Sequence, residues 1–278
     1  MKPGLAERLA ELRRALVPED LWLDPLIAGR GVRIAVIDTG VDLEPLARAA
    51  AERGLGSPRV TAVSLAAGQV EPATRPSAPH GTTVADVILA IAPAAELLSI
   101  DIFGRRGQAE VETLVQALEY ASAVGACHLI NLSLGIEEAR LPAGARRQAL
   151  LRALEACYHR GVHLVAAAHN DHPHTRSLPS ALSAPLLSVD KTDLASPRLL
   201  RYLARAGIEF GAYSRGYFGP FCTEVSTSWA APHLTGIAAR LLSAQPDLKP
   251  FEVKTLLYWL SQAPGEPTTP PGPAAAAP

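Results

Sequence analysis

Six apolar runs recur along the chain: VRIAVID (32–38), RVTAVSLA (59–66), ELLSIDIF (96–103), HLINLSLG (128–135), VHLVAAA (162–168) and APLLSVD (184–190). They are nearly continuous rather than alternating, which suits strands buried on both faces of a parallel sheet. Between most of them the apolar spacing becomes helical, over 43–54, 81–92, 109–125 and 145–161. Strand and helix alternating in this way predict an α/β fold, a doubly wound, mainly parallel sheet with helices on both faces. No internal repeat is visible. A separate amphipathic helix is expected over 4–16, where Leu5, Leu9, Leu12 and Leu16 fall on one stripe.

This pattern divides the chain into an N-terminal amphipathic helix (1–20), one α/β domain (21–263) and a flexible tail (264–278). The tail reads PGEPTTPPGPAAAAP and has too little apolar bulk to pack. With 278 residues, 48% of them hydrophobic, the chain can bury a full core. A formal net charge of −1 and the lack of a long basic run argue against nucleic-acid binding. No run approaches the length of a membrane span, and the charged N-terminus lacks the apolar centre of a secretion signal, so a cytoplasmic setting is expected. Cys127, Cys157 and Cys222 are odd in number and widely spaced. That argues against a disulfide framework and against a zinc ribbon, and they are read as small packing residues.

In open parallel sheets, sites form outside the carboxyl ends of the strands. Asp38, the stretch Asn131–Gly135 and Asn170 all fall at such ends, on one edge of the expected sheet. Asp38 stands in VIDTGVD, where the glycine allows a sharp turn at the strand end. His80 heads the helix HGTTVADVILAI, whose Val84, Val87, Ile88 and Ile91 keep one face buried. Ser228 lies in VSTSWAAPHLTGIAARLL, and Pro232 places the helix start within a few residues of it, since proline is tolerated in a first helical turn. Each residue alone has a plain structural reading. Asp38 suits a solvated or capping aspartate, His80 a cap or surface residue, and Ser226, Thr227 or Ser228 an N-cap. Together they supply nucleophile, base and orienting carboxylate, the three roles of acyl transfer. Asn170 adds an amide N–H for an oxyanion, beside the Ser228 backbone N–H.

These motifs, VRIAVIDTGVD, HGTTVA, NLSLG, AAHND and TSWAAPHLTG, resemble those of the subtilisin-like serine peptidases, the subtilases, in the family's own Asp, His, Ser order. The resemblance runs from about Ile27 to Ser261, with SAQPDLKPFEVKTLL resembling the closing helix pair. It implies Asp38, His80 and Ser228 as a catalytic triad and Asn170 as oxyanion donor. It further implies Ser133, Leu134 and Gly135 as the edge on which an extended peptide adds as a strand. Ala168 and His169 would lie beside the specificity pocket, and Gly104, within FGRRGQ, on the opposite rim. The expected activity is a serine endopeptidase with a peptide or protein substrate, no cofactor and no metal.

Several positions depart from the family pattern. His169 and Ser226 stand where glycines usually line the pocket for the residue before the scissile bond, and Ile136 stands where SLGG is common. Added side chains there predict restricted specificity. The helix from His80 runs directly into Ile91-Ala92-Pro93, without the loop that carries calcium in secreted members, so no calcium dependence is expected there. The cluster from His169 to His174 has nitrogen ligands at close spacing but no regular element to fix them for a metal. Arg105 and Arg106 suit either an acidic substrate residue or plain solvation. Two rival readings stay open: a catalytically silent subtilase-like binding module, and a peptide ligase or macrocyclase using the same acyl-enzyme.

Overall fold

The computed structural model describes Leu21 and residues 27–262, apart from 66, 74, 105–106, 183–184 and 206. The expected helix at 4–16, the tail from 264 and the arginine pair 105–106 lie outside the described residues.

Nine strands form one sheet: β1 (Arg33–Asp38), β2 (Arg59–Ser64), β3 (Glu71–Pro72), β4 (Glu96–Asp101), β5 (Leu129–Leu132), β7 (His163–Ala167), β9 (Leu187–Lys191), β10 (Leu200–Arg205) and β11 (Ile208–Ala212). Their order is β10-β11-β9-β7-β5-β1-β4-β2-β3. All pairs from β11 to β2 are parallel, and the two outer pairs are antiparallel. A separate two-stranded ribbon joins β6 (Ile136–Glu137) to β8 (Ser177–Leu178). The six expected runs correspond to β1, β2, β4, β5, β7 and β9. The β10–β11 hairpin, β3 and the ribbon were not expected, because charged residues interrupt Leu200–Arg205 and Ile208–Ala212, and β3, β6 and β8 are two residues each.

Helices α1 (Leu43–Glu52), α2 (His80–Ile91), α5 (Thr227–Ala244) and α6 (Pro250–Ser261) cover one face of the sheet; α3 (Val111–Glu119) and α4 (Ala145–His159) cover the other. Alternate residues of the central strands β1, β4, β5 and β7 serve opposite cores. Ile34 and Val36 of β1 pack with α2 and α5, while Ala35 and Ile37 pack on the α3 and α4 side. This two-sided burial explains the continuous apolar runs. Helix α2 is more deeply enclosed than its stripe predicts, with ten of its twelve residues buried, because α1, α5 and the sheet surround it.

β4 and β5 lie on opposite sides of β1 although they follow one another in the chain. The sheet therefore changes winding direction beside β1, and a crevice opens at the carboxyl ends of β1 and β5. Asp38 closes β1, and Ser133 follows the last residue of β5.

Candidate active site

Asp38 is 1% exposed, so burial overturns the solvated reading of that residue. Its Oδ1 accepts hydrogen bonds from Thr39 N (2.7 Å) and Thr39 Oγ1 (3.1 Å). His80 Nδ1 sits 2.8 Å from Oδ1 and 3.0 Å from Oδ2. A carboxylate only accepts, so Nδ1 carries the proton and the neutral ring keeps its lone pair on Nε2. Two glycines make the approach possible. Gly40 takes a positive φ of 85°, and a Cβ at Gly81 would collide with the Gly40 carbonyl oxygen. Gly81 N then donates to Thr39 Oγ1 (2.9 Å), fixing the head of α2 against the end of β1.

Burial lowers the basicity of His80, but the Asp38 charge, its hydrogen bond and the charge of Glu224 outweigh that, and the pKa is raised above the usual 6.5. The ring is walled by aromatics, with centroids 4.9 Å from Trp229 and 6.5 Å from Phe221. Trp229, Phe221 and Glu224 were not anticipated from sequence as site residues. Trp229 had a signal, since it adjoins Ser228; the loop holding Phe221 and Glu224 carries no regular pattern.

Helix α5 begins at Thr227, with Ser226 as its N-cap. Pro232 is thus its sixth residue and lies inside the helix, not in the first turn as expected. The physical reason is local. Proline at 232 cannot donate to the carbonyl four residues back, that of Ser228. Ser133 Oγ supplies the missing donor at 2.9 Å. Ser133 Oγ in turn accepts from Asn131 Nδ2 (3.0 Å), whose Oδ1 accepts from Thr235 Oγ1 (2.9 Å). A buried chain from α5 through β5 therefore returns to the Ser228 backbone. Asn131 was noted only as part of the stretch at its strand end and Thr235 not at all, although a proline four positions after Ser228 is the signal that could have linked them to the site.

Ser228 is half-buried, and its Oγ donates to Ser133 O at 3.4 Å. No hydrogen bond joins Ser228 Oγ to His80 among the described residues, but Trp229 brings the start of α5 against the His80 ring. Asn170 follows β7 and faces the same helix start. Its Oδ1 accepts from Ser226 Oγ (3.0 Å), Thr227 N (2.9 Å) and Thr227 Oγ1 (3.1 Å). A backbone N–H can only donate, so that amide atom is oxygen, and Nδ2 is left as the free donor.

Ser133 is buried, Leu134 is half-buried against the α3 and α4 core, and Gly135 is exposed. These three lie between β5 and β6, outside both ladders. A Cβ on Gly135 would come within 3.0 Å of Ser177 Oγ on β8, so glycine permits the close approach of the ribbon. Ala168 is buried, its N–H donating to Val189 O (2.8 Å). His169 is half-buried, its Nδ1 accepting from Asp171 N (3.1 Å). With His172, Arg176, Ser177 and Ser180 it lines a small recess. Gly104 has φ 56° and donates to Asp101 Oδ1 (3.1 Å). In the histidine cluster, His172 Nδ1 pairs with Asp190 Oδ2 (3.0 Å), and among the described residues no three potential metal ligands converge.

Known proteins resemble this chain over most of its length. The sequence profile of the Subtilase family matches residues 29–270. The chain is 31% identical over 245 residues to the M-protease of Shouchella clausii (strain KSM-K16), covering 83% of this chain and 59% of that one. It is likewise 31% identical over 245 residues to Subtilisin Savinase of Lederbergia lenta, covering 83% of both. Among solved structures, a cold adapted subtilisin-like serine proteinase shares the fold with a TM-score of 0.60 at 20% identity, covering 83% of this chain and 82% of that one. The prenylagaramide maturation protease PagA does so with a TM-score of 0.56 at 23% identity, covering 92% and 86%. From the matched profile and these relatives, the chain belongs to the subtilase family of subtilisin-like serine peptidases.

Proposed function

We propose that the chain is a serine endopeptidase of restricted specificity that works through an acyl-enzyme, with Asp38, His80 and Ser228 as its triad. The observation that carries this reading is the clamp of both Asp38 oxygens on His80 Nδ1 (2.8 and 3.0 Å), which leaves Nε2 as a base beside the helix that presents Ser228. Ser228 Oγ attacks the scissile carbonyl carbon while His80 Nε2 takes its proton. The oxyanion accepts from Asn170 Nδ2 and the Ser228 N–H. Collapse of the tetrahedral intermediate expels the amine, which takes the proton back from His80. Water then attacks the acyl-enzyme by the same route and releases the acid. The step requires the serine hydroxyl to turn from Ser133 O towards His80 Nε2, and free-state hydrogen bonds of this kind commonly tighten only with substrate.

Ser133, Leu134 and Gly135, which follow β5 outside both ladders, are the segment on which an extended peptide adds. Restricted specificity is supported by side chains at His169 and Ser226, which occupy space and hydrogen-bonding capacity beside Asn170. The three cysteines are free thiols, Cys222 exposed, which supports a reducing, cytoplasmic setting. Digestion of a defined peptide mixture, read by mass spectrometry, tests the function. A few discrete cuts that vanish in Ser228→Ala are expected. No cuts from folded protein would overturn the endopeptidase reading, and broad digestion of denatured casein would overturn the restriction.

A further inference from the structure

Ser226 holds an unusual position between the two donors of the proposed oxyanion site. It is 3% exposed and caps α5 with extended backbone, φ −144° and ψ 149°. Its single hydroxyl proton goes to Asn170 Oδ1 (3.0 Å), and its oxygen accepts the N–H of Ser228 (3.2 Å). The N–H that a capping side chain takes at the second helical position is here the same N–H that the acyl-transfer reading assigns to the oxyanion.

We propose that the Ser226 hydroxyl is a latch on the oxyanion site: it engages the Ser228 N–H in the free protein, so an incoming carbonyl must displace it, and acylation is slowed. This inference rests on the acyl-transfer reading of Ser228. Asn170 does not depend on the latch, because Thr227 N and Thr227 Oγ1 still hold its Oδ1 (2.9 and 3.1 Å) when the Ser226 hydroxyl is removed. Loss of the hydroxyl therefore frees one donor without releasing the other. The latch favours substrates whose strand contacts along Ser133–Gly135 supply the binding energy to open it.

The test is the second-order rate of Ser228 modification by a fluorophosphonate probe, which needs no knowledge of the natural substrate. In that step Ser228 Oγ bonds to phosphorus, fluoride leaves and His80 Nε2 takes the serine proton, while the phosphoryl oxygen occupies the oxyanion site. Ser226→Ala and Ser226→Gly are expected to react faster, by roughly two- to tenfold, the factor equivalent to one net intramolecular hydrogen bond. Ser226→Thr restores a hydroxyl and should bring the rate back down. A cap with a structural role alone would lower the melting temperature of the alanine variant without raising its rate. Folded alanine and glycine variants that react no faster than the parent overturn the latch. No reaction in parent or variants overturns the acyl-transfer reading itself, and the latch with it.

Discussion

The Asp38–His80 side of the crevice and the Ser228–Asn170 side differ in where their polar atoms are committed in the free protein. On the first side, every bond of the Asp38 carboxylate serves the orientation of His80: Thr39 fixes the carboxylate, and the carboxylate fixes the ring. On the second side, the hydroxyl of Ser228 is aimed at Ser133 O and its N–H at Ser226 Oγ. On the proposed acyl-transfer reading, the base is preorganised, while the nucleophile and one oxyanion donor are held by local partners that substrate has to replace. Charge explains the difference. A buried carboxylate is costly unless fully hydrogen-bonded, so its surroundings are over-determined. A neutral hydroxyl and a helix N–H are satisfied by whichever acceptor is near.

The largest effect should come from disturbing the preorganised side. Asp38→Asn preserves shape but removes the charge that fixes the His80 tautomer, and kcat/KM on a cleaved peptide should fall about 10⁴-fold, as in other triad peptidases. A loss below about tenfold, with circular dichroism unchanged, would mean that the pair does not act as base and orienter.

Next comes the anchoring of the Ser228 carbonyl. Ser133→Ala should cost about 1–3 kcal/mol in urea unfolding, because the carbonyl loses its donor. In a Pro232→Ala background the helix can supply that donor from residue 232, and the same substitution should cost clearly less. Equal costs in the two backgrounds would break the link between Pro232 and Ser133.

The pH dependence is smaller and has a definite sign. Asp38 and Glu224 raise the His80 pKa against the effect of burial, so kcat/KM should rise with pH through a midpoint above 6.5. Glu224→Gln should move that midpoint down. Because the folded pKa is raised, the His80 contribution to stability is complete below the unfolded value of 6.5 and is lost as pH rises through the folded pKa. A midpoint below 6.5 would contradict the ordering of these effects. The smallest effect concerns metal: EDTA should leave the melting temperature unchanged, and a marked drop would reveal a bound ion.

Much of this was legible in the sequence wherever one-dimensional pattern maps onto one element. The buried runs gave the parallel strands, and the Asp38, His80 and Asn170 motifs fell at strand ends or a helix head. The ribbon β6–β8 escaped because its two-residue strands owe their pairing to a neighbour distant in sequence, and the hairpin β10–β11 because charged residues interrupt its short apolar stretches. Pro232 was misplaced because a proline inside a helix is tolerated when another group meets the orphaned carbonyl. That group, Ser133, lies 95 residues away. Phe221, in the short 3-10 turn Gly219–Cys222, and the charge of Glu224 just after it act on His80 from a segment whose course depends on tertiary packing rather than periodicity.

The central claim is that Asp38, His80 and Ser228 form one activated nucleophile, and covalent labelling tests it most directly. The purified protein should be treated with a fluorophosphonate probe beside Ser228→Ala and His80→Ala, and the modified residue mapped by mass spectrometry. Labelling confined to Ser228 in the parent and absent from both variants is the expected result. Labelling at another residue, or undiminished labelling in His80→Ala, would contradict it.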